Sequence, residues 1–171
     1  CEFLTNTADG EGGGAIYNEY GNLATMRGCL FSGNYGGDHA GAIYNYVATC
    51  SLQNCQFASN ESYSDTGGGG AIYNESTDMT VAGSSFLNNH SYQAEGGAFY
   101  LNQYNHLVLR HCTFFGNLAD DGNGGAIYSN YSEVVATDSC FTNNRGSYAG
   151  AIYNDQYCDL TLEGCSFEGN T

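Results

Sequence analysis

Six tyrosines recur along the sequence at intervals of 25 to 29 residues, each closing a Gly-Ala-Ile-Tyr or Gly-Ala-Phe-Tyr unit. They are Tyr17, Tyr44, Tyr73, Tyr100, Tyr128 and Tyr153. If the residue before each tyrosine faces a core, strand alternation sends the tyrosines outward in one file. Stacked rings on a flat sheet bind sugar rings or pack against another protein surface. We predict such a file as a binding surface; the alternatives are tyrosines that face inward and loops that fold over them.

Acidic residues gather in the segments just before the glycines of these units. If the units stack, the carboxylates repel one another, and Ca²⁺ held by their oxygens would relieve the repulsion. The predicted calcium ligands are Asp9, Glu11, Asp38, Glu95, Asp120 and Asp121. Their offsets drift from copy to copy, so the alternative is a solvated acidic edge that keeps the protein soluble.

The sequence has eight cysteines, a number that favours an oxidising, extracellular compartment. Five of them stand two residues before a repeated phenylalanine: Cys1, Cys29, Cys55, Cys112 and Cys165. Stacked repeats would bring adjacent members to roughly 4.8 Å, inside the Cα range of a disulfide. Cys1, Cys29, Cys55 and Cys165 are therefore disulfide candidates. The alternative is that this column consists of small buried hydrophobic residues.

Four Asn-x-Ser triplets are candidate glycosylation acceptors in a eukaryotic secretory route. Their asparagines are Asn60, Asn74, Asn89 and Asn130. The sequence is rich in asparagine, serine and threonine, so such triplets also arise by chance.

The sequence contains few groups of residues that could act together in catalysis. Arg27 and Arg110 fall at equivalent positions of repeats three copies apart, roughly 14 Å in a stack, and cannot converge on one bond. Glycoside hydrolysis requires a pair of carboxylates, and no such pair recurs on one strand. The histidines His106 and His111 straddle a corner and lack the spacing of a tetrahedral metal site. We expect a protein that is not an enzyme.

The elements that would position these residues follow from two interleaved repeats. A Phe-x-x-Asn unit alternates with the tyrosine unit at intervals of 26 to 29 residues, at Phe3, Phe31, Phe57, Phe86, Phe114, Phe141 and Phe167. Each repeat holds three short apolar segments, as in Gly41 to Asn45, Leu107 to Leu109 and Cys165 to Phe167. The repeat is too short for helical crossovers and fits one coil of a solenoid. We predict an all-β parallel β-helix of about six coils of roughly 27 residues, with three short strands per coil.

A tight corner is expected three residues before each phenylalanine. That position holds Gly28, Asn54, Gly83, His111, Asp138 and Gly164. Most of these residue types tolerate a left-handed backbone conformation. The absence of proline agrees with a chain in which nearly every backbone N–H has a ladder partner.

Composition excludes several partners. The formal net charge is -15 with three arginines and no lysine, so binding to nucleic acid or to an anionic membrane is disfavoured. No apolar run approaches the roughly 20 residues that cross a bilayer as a helix, so membrane insertion is not expected. The repeats run from end to end, which predicts one solenoid domain over residues 1–171.

The alternating units resemble the repeats of the polymorphic outer membrane protein family. The residues that carry the resemblance are the Gly-Gly-Ala-Ile units Gly13 to Ile16, Gly69 to Ile72 and Gly124 to Ile127, with Phe31 to Asn34 and Phe114 to Asn117. The resemblance covers essentially the whole chain. It implies a right-handed β-helix at a cell surface, often adhesive. Such a resemblance implies a fold and an extracellular location but does not imply an activity.

The repeated sequence continues up to both termini, without the polar cap that solenoids normally need. We therefore expect either a segment of a longer solenoid or a subunit that stacks end to end into a fibre, with Cys165 of one copy able to bond Cys1 of the next. The predicted function is an extracellular structural or adhesive β-solenoid that associates with itself. The alternatives are a carbohydrate-binding module that uses the tyrosine file and a calcium-dependent polysaccharide-active enzyme.

Overall fold

A computed structural model describes residues 1–21, 23–65 and 67–171, and the regular structure of that part of the chain consists of 24 short β-strands. In chain order they are β1 (Glu2–Leu4), β2 (Thr7–Ala8), β3 (Ile16–Glu19), β4 (Ala24–Arg27), β5 (Leu30–Ser32), β6 (Tyr35–Gly36), β7 (Ile43–Tyr46), β8 (Thr49–Gln53), β9 (Gln56–Ala58), β10 (Glu61–Tyr63), β11 (Ile72–Glu75), β12 (Asp78–Ala82), β13 (Ser85–Leu87), β14 (His90–Tyr92), β15 (Phe99–Asn102), β16 (His106–Arg110), β17 (Thr113–Phe115), β18 (Leu118–Asp120), β19 (Ile127–Asn130), β20 (Glu133–Thr137), β21 (Cys140–Thr142), β22 (Ile152–Asn154), β23 (Asp159–Glu163) and β24 (Ser166–Glu168).

These strands stack into four sheets, and each coil adds one strand to each sheet, except that the last coil has only an isolated bridge from Arg145 to Leu118 in place of its shortest strand. The Phe sheet has the order β1-β5-β9-β13-β17-β21-β24, and the short sheet has the order β18-β14-β10-β6-β2. The Tyr sheet has the order β22-β19-β15-β11-β7-β3, and the Leu sheet has the order β23-β20-β16-β12-β8-β4. All pairings between these strands are parallel and join residues one repeat apart, as Ile127 joins Ile152 and Phe57 joins Phe86. The predicted parallel β-helix of about six coils is confirmed.

The register places like residues above like residues. Phe31, Phe57, Phe86, Phe114 and Phe141 are completely buried. Successive rings of the phenylalanine column stack with centroids 4.5 to 5.0 Å apart and planes within 9° of parallel. Parallel offset stacking adds stabilisation beyond the area that the rings bury. The repeat period thus sets the register, since a slip by one residue would turn the column out of the core.

The predicted corner is confirmed at each of its six positions, where φ lies between 48° and 63°. A second left-handed corner occurs two residues after each phenylalanine, at Thr5, Gly33, Ser59, Asn88, Gly116, Asn143 and Gly169. The asparagine of the Phe-x-x-Asn unit comes directly after this second corner. Its side chain is buried in the inner coils and joins one coil to the next.

The number of strands per coil was predicted wrongly. The structure has four, because the short sheet follows the second corner. Its strands are two or three residues long, and their inward residues are small, as at Gly36, Ser62, Ser91 and Ala119. A strand that buries glycine, serine or alanine lacks the apolar alternation by which strands are recognised in a sequence.

The residues described by the structure include no helix of the length and apolarity needed to cross a membrane.

Candidate functional site

The tyrosine file faces away from the main core, as predicted, but most of it is covered. The preceding residues Ile43, Ile72 and Ile127 are buried in the main core. Tyr44, Tyr73, Tyr100 and Tyr128 form a second buried cluster, each only 5 to 7% exposed. The prediction of an open aromatic surface is therefore wrong for these four residues. Tyr17 is 50% exposed and Tyr153 is partly exposed.

The cover consists of the segments that link the short sheet to the Tyr sheet. The His39 ring stacks on Tyr44 at 4.8 Å and 7°, and meets the edge of Tyr73 at 4.8 Å and 83°. Gly67 approaches Tyr100 so closely that a Cβ at this position would lie 2.7 Å from the ring Cζ. The loop that contains Gly67 thus closes over the tyrosines at a point where a residue with a side chain would collide with the ring.

Burial alters the acidity of the covered hydroxyls. Burial is the main cause that raises the pKa of Tyr73 to about 12. Burial raises the pKa of Tyr128 as well, helped by the hydrogen bond of 2.8 Å that its hydroxyl donates to Asp155. The pKa of Tyr44 is raised by burial and by the nearby Glu75 carboxylate. The phenols in this cluster are therefore neutral hydrogen-bond donors over the physiological pH range.

The uncovered end of the file forms a cleft of about 350 Å³. Its lining consists of Glu11, Tyr17, Glu19, Tyr20, His39, Tyr44 and Tyr46. The Tyr17 ring stacks on Tyr44 at 5.0 Å, and the Tyr20 ring meets Tyr46 edge-on at 5.5 Å. Burial, followed by the Glu19 and Glu11 carboxylates, raises the pKa of Tyr17. The cleft therefore combines aromatic faces with negative charge.

A second group of tyrosines lies at the corner between the Tyr sheet and the Leu sheet. Tyr20, Tyr104, Tyr131 and Tyr157 have φ values of 51°, 52°, 48° and 48°. Bulky side chains rarely adopt this left-handed conformation, and such strain tends to occur at functional sites. The Tyr131 and Tyr157 rings stack at 5.3 Å, and Tyr104 occupies the corner of the preceding coil. This group was not predicted, because its tyrosines fall outside the repeated unit.

The predicted calcium ligands do not converge. Within residues 1–21, 23–65 and 67–171, no group of three or more histidine, cysteine, aspartate or glutamate residues lies close enough to hold a metal ion. Glu11 lines the cleft, and Asp120 lies 3.4 Å from His90. Asp9 and Asp121 are exposed, while Asp38 and Glu95 are partly buried in the covering loops. The arrangement is that of an acidic edge, since the loops of successive coils differ in length and the carboxylates drift apart.

The predicted disulfides are not formed, and all eight cysteines are thiols. The thiol groups of the column contact backbone carbonyls, and the Cys55 thiol also interacts with that of Cys29 without a bond between the sulfurs. Cys29 Sγ donates to Arg27 O at 3.5 Å, Cys55 Sγ to Met26 O at 3.5 Å and Cys165 Sγ to Ala136 O at 3.3 Å. Cys1 is exposed at the other end of the column. The column thus follows the alternative given above, that of small buried residues.

Three of the four predicted glycosylation asparagines are inaccessible. Asn60, Asn74 and Asn89 are fully buried and hydrogen-bonded between coils. An asparagine in such a ladder cannot also carry a bulky glycan. Asn130 is partly exposed, but its Oδ1 is buried.

The arginines fall where the repeat placed them. Arg27 pairs with Gln53, Gln53 with Ala82 and Ala82 with Arg110, so that three coil steps separate the two guanidinium groups. Both arginines are exposed on the outer side of the Leu sheet.

The two end coils leave the core columns open. Leu160, Leu162 and Phe167 of the last coil are exposed, whereas their register partners Val134, Ala136 and Phe141 are buried. At the other end Phe3, Ile16, Ala24 and Met26 are only partly buried. Each end is thus an apolar surface bordered by unpaired strand edges.

Comparisons with known proteins agree with this architecture. A family model described as "Right handed beta helix region" matches residues 1–171. Among curated proteins, metabotropic glutamate receptor-like protein R of Dictyostelium discoideum is 35% identical over 69 residues, which cover 40% of this chain and 4% of that protein. No solved structure gives a significant match.

Proposed function

Because this chain belongs to the right-handed beta helix family, we propose that it is a structural or adhesive rod that joins other β-helical coils through its two end faces. Copies would associate end to end, the last coil of one against the first coil of the next. The same faces would receive neighbouring coils of a longer chain. The observation that carries the proposal is the exposure of core columns at both ends.

The columns of the two ends match one another. End-to-end stacking continues the phenylalanine column from Phe167 to Phe3 of the next copy and the isoleucine column from Ile152 to Ile16. Apolar surface that leaves water at such a joint contributes about 25 cal/mol per Å². Unpaired edge strands on both faces provide the main-chain hydrogen bonds.

The asparagine ladder has the same polarity at both ends. The amide of each asparagine donates to Oδ1 of the asparagine one coil further on, as Asn6 does to Asn34 at 2.8 Å and Asn144 to Asn170 at 2.9 Å. Across a joint, the Asn170 amide would donate to Asn6 Oδ1 of the next copy. This direction favours head-to-tail association, which produces open filaments instead of closed dimers.

An address outside the cell is part of the proposal. It is supported by the resemblance of the repeats to those of polymorphic outer membrane proteins. The buried thiols neither require nor oppose an oxidising compartment. Antibody labelling of intact source cells tests the extracellular location, and labelling only after permeabilisation would contradict it.

Association is tested with a pair of matched phenylalanines. Phe167 lies on the open end face and is 45% exposed, whereas Phe115 lies on the side of the rod and is 43% exposed. Concentration-dependent oligomers or fibres, followed by light scattering and electron microscopy, are expected for the unmodified chain and for Phe115→Asp. Phe167→Asp should remain monomeric. A monomeric unmodified chain, or equal behaviour of the two variants, would refute end-to-end association.

The corner tyrosines support carbohydrate binding as a second candidate function. Tyr104, Tyr131 and Tyr157 occupy successive coils, and the Tyr131 and Tyr157 rings lie 5.3 Å apart. Tyr131 also donates its hydroxyl to Gln156 Oε1 at 2.7 Å, which fixes the ring orientation. Rigid aromatic faces beside amide groups suit the apolar faces and hydroxyls of an oligosaccharide.

Titration with soluble oligosaccharides selected on a glycan array tests this candidate. Tyr131→Ala and Tyr157→Ala should abolish binding, while Tyr63→Ala, an exposed tyrosine on the short sheet, should leave it intact. Equal losses in all three variants, or no hit on the array, would exclude the corner as a carbohydrate site.

A further inference from the structure

We propose that Tyr131 and Tyr157 form an oxidative modification site, at which a haem peroxidase with hydrogen peroxide joins the two side chains into dityrosine. The site lies at the corner between the Tyr sheet and the Leu sheet. The product is a carbon–carbon bond between two successive coils. The proposal concerns the same corner as the candidate carbohydrate site, but it requires neither a bound sugar nor end-to-end association.

The backbone brings the two rings together. Tyr131 and Tyr157 both have a φ of 48°, and the Tyr131 N–H donates to Gln156 O at 2.9 Å. Residues in the same backbone conformation one coil apart direct their side chains the same way. The rings accordingly stack with centroids 5.3 Å apart and planes 27° from parallel. Exposed side chains change rotamer within nanoseconds, so small rotations bring the carbons ortho to the two hydroxyls into contact.

Accessibility distinguishes this pair from the covered tyrosines. Tyr157 is 86% exposed, and Tyr131 is partly exposed. The Tyr73 and Tyr100 rings are closer together, at 4.8 Å, but each is at most 7% exposed beneath the covering loops. A phenol has to reach the haem pocket of a peroxidase to be oxidised there, and a covered ring cannot do so. The corner pair therefore reacts while the covered file is protected.

The exposure of the corner does not depend on the place of Tyr157 in the last coil. Tyr104 lies at the same corner, between strands that have a paired coil on either side, and it is 76% exposed. The covering loops lie at the other end of the strands of the Tyr sheet. A further coil beyond the last one would lie against one face of Tyr157 and would leave its contact with Tyr131 in place.

Orientation distinguishes the pair from other neighbouring tyrosines with exposed rings. The new bond forms between p orbitals that stand perpendicular to the ring planes, so rings that face each other couple most readily. Tyr20 meets Tyr46 edge-on at 75°, and Tyr148 is tilted by 49° from Tyr153 at 6.3 Å. Two groups held in a productive orientation react much faster than groups that must first find each other. The stacked corner pair is therefore the favoured site of coupling.

The reaction balances with one molecule of hydrogen peroxide. Each phenol gives up one electron and the proton of its hydroxyl, and the two tyrosyl radicals form a bond between ortho carbons. The hydrogen on each of these carbons then moves to the oxygen, which restores both phenols. The peroxide accepts two electrons and two protons and leaves as two molecules of water. The hydrogen bond of 2.7 Å from the Tyr131 hydroxyl to Gln156 Oε1 stabilises the positive charge that develops as the electron leaves.

The test oxidises the unmodified chain with a haem peroxidase and a limiting amount of hydrogen peroxide, in dilute solution. The exposed thiols of Cys1 and Cys140 are alkylated first, so that they do not consume the oxidant. Dityrosine fluorescence is expected in the fraction that runs as a monomer on a denaturing gel. After cleavage at acidic residues, tandem mass spectrometry should find Tyr131 joined to Tyr157, with two hydrogen atoms lost.

Three results of this experiment would overturn the proposal. The first is the absence of dityrosine, and the second is dityrosine confined to cross-linked multimers. The third is a monomer in which the bond joins another pair, such as Tyr148 and Tyr153.

Phenylalanine variants then assign the bond. Tyr131→Phe and Tyr157→Phe keep the ring but lose the hydroxyl, and each should abolish the dityrosine of the monomer fraction. Tyr104→Phe is the matched control, since Tyr104 is also an exposed corner tyrosine with a φ of 52°. It should give the same yield as the unmodified chain. Equal yields in all three variants would refute the assignment, and circular dichroism confirms that each variant is folded.

The bond should also hold the two coils together on heating. A covalent link that closes a loop of one repeat restricts the unfolded chain, as a disulfide does. The midpoint of thermal unfolding should rise by on the order of 10 °C in the oxidised chain and should not rise in oxidised Tyr157→Phe. An oxidised chain that contains dityrosine but unfolds at the original temperature would contradict a link between coils.

A last comparison separates this proposal from association through the end faces. The oxidation is repeated on Phe167→Asp, the variant in which end-to-end stacking is blocked. An unchanged yield of dityrosine is expected there, because both tyrosines belong to one chain. Loss of dityrosine in this variant would show that the bond forms across a joint between copies and would refute the site.

Discussion

The backbone N–H and the side-chain amide of Asn60 both donate to Oδ1 of Asn89, at 3.1 and 2.9 Å. Asn89 in turn donates through the same two groups to Asn117 Oδ1, and its Nδ2 also contacts Phe57 O at 3.1 Å. Each buried asparagine therefore accepts two hydrogen bonds from the preceding coil and donates one to a phenylalanine carbonyl of that preceding coil. Such a chain of bonds leaves few unpaired polar groups beside the core.

Replacement of Asn89 by alanine should destabilise the rod strongly. The change leaves the Asn60 donors and the Phe57 carbonyl buried without their partner, which costs about 3 kcal/mol. The midpoint of thermal unfolding should fall by on the order of 10 °C. Gln56→Ala is the control, because Gln56 is an exposed amide side chain of the Phe sheet. Equal unfolding temperatures for the two variants would show that the ladder contributes little.

The covered tyrosines should make the fold sensitive to alkali. Burial raises the pKa of Tyr73 from about 10 to about 12 and also raises those of Tyr44, Tyr100 and Tyr128. The contribution of Tyr73 to stability is complete below pH about 10 and is lost as pH rises through about 12, and that of the other three is lost at higher pH still. Tyrosinate absorbance of the folded chain should therefore include a component displaced to higher pH than in denaturant.

Tyr73→Phe should reduce that displaced component. Circular dichroism recorded alongside shows whether the chain is still folded. Identical titration curves for the folded and the denatured chain would mean that the tyrosines are open to solvent.

Thiol reactivity separates the buried column from the surface. Burial raises the pKa of Cys50 to about 12, and it raises those of Cys55 and Cys112. A thiolate is the reactive form, so these groups should react slowly with a thiol reagent. Cys1 and Cys140 are exposed and should react first. Denaturant without reductant should release all eight thiols, and a smaller number would reveal disulfides that the structure lacks.

The parts of the fold that could be predicted from sequence are those that repeat in strict register. The spacing of Phe31, Phe57 and Phe86 predicts which strands pair, because only one register stacks these rings in the core. Several copies of the repeat have a glycine three residues before the phenylalanine, and glycine favours a left-handed backbone. The same corner could therefore be predicted at Asn54 and His111, which occupy this position in other copies.

The site was less accessible to sequence reasoning, because it depends on loops of variable length. Strand parity gives the direction of Tyr73 and Tyr100 but cannot show that a glycine-rich loop lies over them. The short sheet was missed for a related reason, as Ser62 and Ser91 carry no hydrophobic signal. Tyr104 and Tyr131 escaped notice because their strained φ values are visible only in three dimensions.

The one-coil separation of all strand partners bears on how such a protein changes over generations. Each rung touches only the rung above and the rung below, as in other solenoids. A stretch of DNA that encodes one rung can therefore be duplicated or lost in frame while the remaining rungs keep their neighbours. Recombination can then change the length of the rod by whole coils, and the packing of the remaining core is retained.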